Sequence, residues 1–287
     1  GEAAERAAHD DEDFRTGGRV SFIASTTLWS LYGGVVIGDL ANLDSAQAWT
    51  GTLFVATGAG LLGATYATRD RTVTAAMAEG YRFGLYVGAG NALLLGSPLG
   101  LYDGDRSSEK VNGSVFLTGT ALGIAGMVYG KEAHPTTGQL AFAENMSLLG
   151  LASTWLGVAI AQPDNLDGDT ALTLTAAGLD ISTTAGLVIG RQLDWSNGRA
   201  RMTGLGALLG GLGGLATGVL IGGTDSGRGT AATTLIGMWG GFGLTVHLTR
   251  GMRPDRGHAL PKTAVMPAVM QTPSGQSALG AGISGVW

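Results

Sequence analysis

Asp180 is a carboxylate in surroundings that disfavour charge. It interrupts an otherwise charge-free stretch, residues 170–190. A charged side chain at mid-membrane depth is disfavoured by roughly 2.5–3.5 kcal/mol. A residue kept at that penalty marks an ion or proton pathway, or acts as a polar clasp between helices. Asn91 lies in a second charge-free stretch, residues 83–102. At about 1.5 Å per residue, Asp180 falls ~15 Å from one end of its stretch, and Asn91 falls ~12 Å from the opposite side. The two can therefore meet near mid-depth. His247 falls about 12 Å deeper than Asp180, too far for a direct pair. The clasp is the preferred expectation for Asp180 and Asn91, and an ion or proton site is the alternative.

Other chemistry is sparse. Gly58, Gly60 and Gly63 have the dinucleotide-fingerprint spacing, as do Gly280, Gly282 and Gly285. Neither set lies between a strand and a helix, which that motif requires. Gly126 to Lys131 resembles a phosphate loop, but the spacing is wrong and Glu132 stands where Ser or Thr is needed. Asp225, Ser226 and Gly227 read as a turn, and no nucleophile elbow is present. His9, His134, His247 and His258 show no ligand spacing. The chain contains 0 cysteines, which removes thiolate metal sites, disulfides and cysteine nucleophiles. The acidic run from Asp10 to Asp13 reads as a solvated arm, with divalent-cation binding as its alternative. Residues 1–19 hold no apolar core, so no secretion signal is expected there. No catalytic residue, metal site or cofactor is expected. A net charge of −5 gives no reason to expect nucleic acid.

The elements that position these residues follow from the charge map. Eight windows are nearly free of charge: 20–38, 45–68, 83–102, 111–130, 145–163, 170–190, 202–224 and 229–249. Each is 19 to 24 residues long, enough to cross about 30 Å of hydrocarbon as a helix. Charged residues make up only 14% of the chain, against about 25% usually, so the charge is concentrated between windows. Alternate windows end alike, at Arg69, Lys131, Arg191 and Arg250, spaced by 62, 60 and 59. This predicts an all-α fold of four antiparallel helical hairpins, membrane-embedded. The repeats are 19–71, 72–137, 138–198 and 199–257. An acidic arm (1–18) precedes them, and an extended, β-like tail (258–287) follows. A whole-chain β-barrel is disfavoured, because barrel strands alternate with a polar lumen face.

The two sides differ. The loops inside hairpins hold nine acids but only Arg106, Lys110 and Arg228, which leaves 17 − 3 = 14 basic residues for the other side. In an inner membrane, the positive-inside rule places the hairpin junctions and both termini on the cytoplasmic side; in another membrane the rule does not apply so directly.

Glycine, 51 of 287 residues, predicts the packing. Gly206, Gly210, Gly214, Gly218 and Gly222 recur every fourth residue, as do Gly80, Gly84 and Gly88. Gly34/Gly38, Gly119/Gly123, Gly126/Gly130, Gly186/Gly190 and Gly237/Gly241 follow the same spacing. Such faces let helix backbones approach closely in lipid.

The hairpin ends, a small residue followed by Arg or Lys, and the glycine-rich stretch 201–215 resemble glycine-zipper helical-repeat proteins of myxobacterial cell envelopes. The resemblance spans about residues 15–257. It implies a bacterial envelope location and a structural or channel role. The expected partners are membrane lipid, further copies of the chain or other envelope proteins. Residues 278–287 also resemble the closing strand of outer-membrane barrels. The expectation is a non-enzymatic membrane protein with a structural or pore-forming role. An ion-coupled channel using Asp180 and a soluble hairpin solenoid serving as a scaffold are the alternatives; the solenoid would carry polar residues at helical period on its exposed faces.

Overall fold

The computed structural model describes residues 17–161, 166–222 and 227–252, together with the backbone of two strands. Eight helices follow in order: α1 Gly18–Leu40, α2 Ala46–Ala67, α3 Ala75–Gly96, α4 Ser107–Glu132, α5 Thr137–Ala161, α6 Gly168–Gly190, α7 Asn197–Gly222 and α8 Gly227–Leu248. In a separate unit, β1 Ala264–Gln271 and β2 Ser277–Ser284 pair antiparallel, with Ala264 opposite Ser284. The arm to Asp13, Asp225, Ser226, His258, Gly285 and the terminal Trp287 lie outside the described residues.

Side-chain caps set the starts of α3, α5 and α7. Thr74 accepts from the Met77 N–H at 3.2 Å, and Ser196 from the Arg199 N–H at 3.1 Å. Thr136 and Gln139 cap each other reciprocally at 3.2 and 3.1 Å. Each satisfies N–H groups that the first helical turn leaves without partners. These three caps open α3, α5 and α7 and are spaced by 62 and 60 residues.

The caps correct the window boundaries. α3 begins at Ala75, not near residue 83, and α5 and α7 begin at Thr137 and Asn197, not near 145 and 202. Glu79, Arg82, Glu144, Arg199 and Arg201 are therefore helical residues that read as loop markers in the sequence. Among the described residues, four helices, α1, α4, α6 and α7, are long and apolar enough to cross a membrane by length and composition.

The glycine seams lie within the chain. A Cβ added at Gly80 would meet Gly126 O, at Gly84 the Leu122 carbonyl, and at Gly88 Thr118 O at 2.5 Å. Residue numbers rise on α3 as they fall on α4, so these two helices run antiparallel. Gly206, Gly210, Gly214 and Gly218 meet, in turn, Thr245, Gly237, Thr233 and Thr230. That places the run against α8, which leaves it unavailable as an oligomer face. Gly222, the last residue of α7, is exposed.

Among the described residues, helix packing beyond these pairs joins neighbours along the chain. α1 packs on α3 and α4, α3 on α5 and α6, and α5 on α7 and α8. A longer reach passes through side chains, from Arg201 of α7 to Glu79 of α3 at 3.4 Å. Apolar cores fill the joints. Phe142 and Trp195 meet edge to face, 5.0 Å between centroids, beside Ala141 and Ala200. Leu149, Ala207 and Met238 form another core.

Candidate functional site

Asp180 and Asn91 are in contact. The Asn91 amide Nδ2 donates to Asp180 Oδ1 at 2.8 Å and to the Val87 carbonyl at 3.1 Å. Asn91 is buried and Asp180 exposed. Asn91 Oδ1 is buried without a hydrogen-bond partner among the described atoms. Because α3 starts at Ala75, Asn91 lies ~24 Å along its helix and not ~12 Å as counted from the charge-free window.

Two further hydrogen bonds place this contact in a series. Trp29 Nε1 donates to Thr120 Oγ1 at 2.8 Å, joining α1 to α4. Trp239 Nε1 donates to Ser153 Oγ at 2.9 Å, joining α8 to α5. Trp29, Asn91 and Ser153 are spaced by 62 and 62 residues; Thr120, Asp180 and Trp239 by 60 and 59. Each inter-hairpin joint thus carries a polar clasp at the same repeat position, beside other polar contacts such as Tyr32 Oη to Asn112 Oδ1 at 2.9 Å in the first joint. The residue types differ (indole to hydroxyl, amide to carboxylate, hydroxyl to indole) while the position is kept. A spatial signature was available in the sequence: Thr120, Asp180 and Trp239 each stand eleven residues before Lys131, Arg191 and Arg250. Asn91 and Ser153 each stand seventeen after the caps Thr74 and Thr136.

A second polar group sits near the starts of α3, α5 and α7. Arg82 bridges Glu79 at 2.5 Å and Glu144 at 3.2 Å, and Arg201 reaches Glu79 at 3.4 Å. Two acids and two bases balance within three helices. Arg82 Nε is buried without a partner among the described atoms. Asn145 Nδ2 donates to the Ala200 carbonyl at 2.5 Å alongside. This group ties three hairpins together at one end.

The remaining sequence candidates do not converge. Gly58, Gly60 and Gly63 lie inside α2, and Gly126 to Lys131 inside α4. His247 is exposed in the last turn of α8. Among the described residues, no three His, Asp or Glu side chains are grouped as metal ligands. Outside the spans, Asp167 caps α6 through the Thr170 N–H at 2.6 Å. That backbone bond, with a side-chain bond from Thr170, holds its carboxyl below the ordinary carboxylate range. No protein-family model, curated protein or solved structure matches this chain.

Proposed function

We propose that the chain is a non-enzymatic integral membrane protein of a bacterial envelope, with a structural role. Its four helix pairs act as antiparallel hairpins stacked side by side, the basic junctions facing the cytoplasm. The single observation that carries the structural role is the clasp series. Asp180 occupies a position whose equivalents, Thr120 and Trp239, also bind the preceding hairpin. A carboxylate that completes a repeated joint needs no ion pathway to explain it. This favours the clasp over ion-coupled transport. The envelope location is part of this proposal and follows from the resemblance described in the sequence.

Embedding is supported by the apolar surfaces of the helices. Phe54 is 80% exposed and Leu220 85%, and Leu62, Leu117, Ile124, Leu148, Ile181 and Leu244 are exposed along helix middles. Water-facing helices show charged or polar residues there, and apolar patches of this kind mark contact with lipid or protein. A soluble solenoid would need the opposite pattern.

The test has two arms. After alkaline washing, the protein stays with the membrane pellet and needs detergent to leave it; a monodisperse particle in plain buffer refutes embedding. In liposomes, wild type and Asp180→Asn show the same proton and cation leak. A flux that Asp180→Asn abolishes refutes the structural role.

A further inference from the structure

We propose that the hairpin array continues from chain to chain. The first hairpin of a second copy, α1 and α2, docks against α7, with Gly213 facing Gly58 of the second copy. This deepens the structural reading and rests on the array, not on the medium around it.

The argument starts from the three joints inside the chain. In each, the first helix of one hairpin seats against both helices of the next. Two faces of this kind are left over: the forward face of α7, and the rear face of α1 and α2. Their clasp positions can be counted. Eleven residues before Arg69 stands Gly58, and seventeen after Ser196 stands Gly213. All six clasp positions at the internal joints hold a side chain; both end positions hold glycine. A Cβ at either would meet nothing within 4 Å.

Glycine in mid-helix sacrifices about 1 kcal/mol relative to alanine. Open space alone does not mark the two positions, because Gly51, Gly63, Gly113 and Gly157 also face nothing within 4 Å. Gly58 and Gly213 differ in falling at the clasp positions of the two unpartnered faces, where a glycine admits close approach of a second backbone, as at the seams of α3 and α7. The two ends also match chemically. A polar residue on one face alone would lack a partner in the next copy, and both faces drop it together. The end helices are short of partners as well. α2 buries only Ala64, and α7 buries five residues where the first helices of the two middle hairpins, α3 and α5, bury twelve and seven. A head-to-tail joint is heterologous, so it generates a ring if the rotation closes and a filament if it does not.

The chain has 0 cysteines, so introduced thiols stand alone. Gly58→Cys and Gly213→Cys chains, each substituted where space is free, are co-expressed and treated in the fraction that holds them with a short bis-maleimide. The expected result is a shift from 29.0 kDa to twice that mass only when both variants are present. The doubly substituted chain gives a ladder or a ring. Gly157→Cys, on an internal helix, gives no product. Unmodified protein in lipid discs should also exceed one chain in mass. A product from Gly213→Cys alone indicates a face-to-face dimer and overturns the proposal. So does an intramolecular product from the double variant. Absence of product, with the melting curve of the parent retained, means that lipid or the chain's own tail covers these faces, and overturns it as well. Membrane partition is read separately, so a failure of docking and a failure of embedding give different results.

Discussion

Gly84→Ala tests whether the seams hold the fold. The added Cβ would fall closest to the Leu122 carbonyl oxygen, and would stand 2.5 Å from that carbonyl's carbon and 2.9 Å from Gly123 Cα. All three are backbone atoms, so none can rotate away. Ordinary contact begins at 3.4 Å, and α3 and α4 must therefore separate by at least 3.4 − 2.5 = 0.9 Å. A gap of about 0.5–1 Å forfeits a quarter to a half of each dispersion well. If the seam makes as many contacts as one buried leucine, 40–60 at about 0.1–0.2 kcal/mol, it carries roughly 4–12 kcal/mol. The loss is then about 1–6 kcal/mol. Improved helix propensity offsets about 1 kcal/mol of it. The net is a destabilisation of about 0–5 kcal/mol, a range that contains the roughly 1–3 kcal/mol usual for overpacked cores, which is the value expected. Gly157→Ala is the control, because its Cβ meets nothing within 4 Å; it should be neutral or stabilising by up to about 1 kcal/mol. Reversible unfolding of both variants in mixed micelles, followed by circular dichroism, measures the difference. Equal stabilities for Gly84→Ala and Gly157→Ala would refute close backbone approach as the source of cohesion.

Three further outcomes are expected. A double-mutant cycle of Asn91→Ala with Asp180→Ala should give a coupling near 0.6 kcal/mol and no more than about 1.7, and the cycle of Trp29→Phe with Thr120→Val should give a similar value; unfolding midpoints decide, and coupling at only one joint contradicts the equivalence. Arg82→Met should destabilise by about 1–3 kcal/mol, less than the 3–5 of a fully buried pair, because its side chain and that of Glu144 are 22% and 27% exposed; Glu144→Gln should do less harm, since Arg82 then keeps Glu79. Asp167 has a lowered pKa in the folded chain, so its stabilising effect is complete above the ordinary carboxylate range and is lost as pH falls through the lowered value; carbon-13 titration of the side chain should show the low midpoint, and Asp167→Asn should keep the cap without that acid-side loss.

The helices were legible in the sequence because charge marks most of their ends. The starts of α3, α5 and α7 were not, because Glu79, Arg82, Glu144 and Arg201 neutralise one another inside helices. A charge that finds a partner on a neighbouring helix no longer marks a loop, and nothing in one stretch of sequence shows the partner. Asp180 stood out because an acid in an apolar stretch is conspicuous. Trp29 and Ser153 did not, because a tryptophan or a serine fits an apolar helix without comment. The clasp series preserves position and not residue type, so a search for repeated letters passes over it. The glycine runs announced close packing, but their periodicity alone did not say whether the partner helix belonged to the same chain.

Neighbour-only packing has a consequence for how the chain is made. When α3 and α4 emerge during synthesis, the face of α1 that receives them is already complete, and the same holds for each later hairpin. Assembly can therefore keep pace with the ribosome, with no early segment waiting for a distant one. Among the described residues, the Arg201–Glu79 bridge is the exception. It spans 122 residues, so it closes only once the fourth hairpin has arrived, and it acts as a latch on an order that translation has already set.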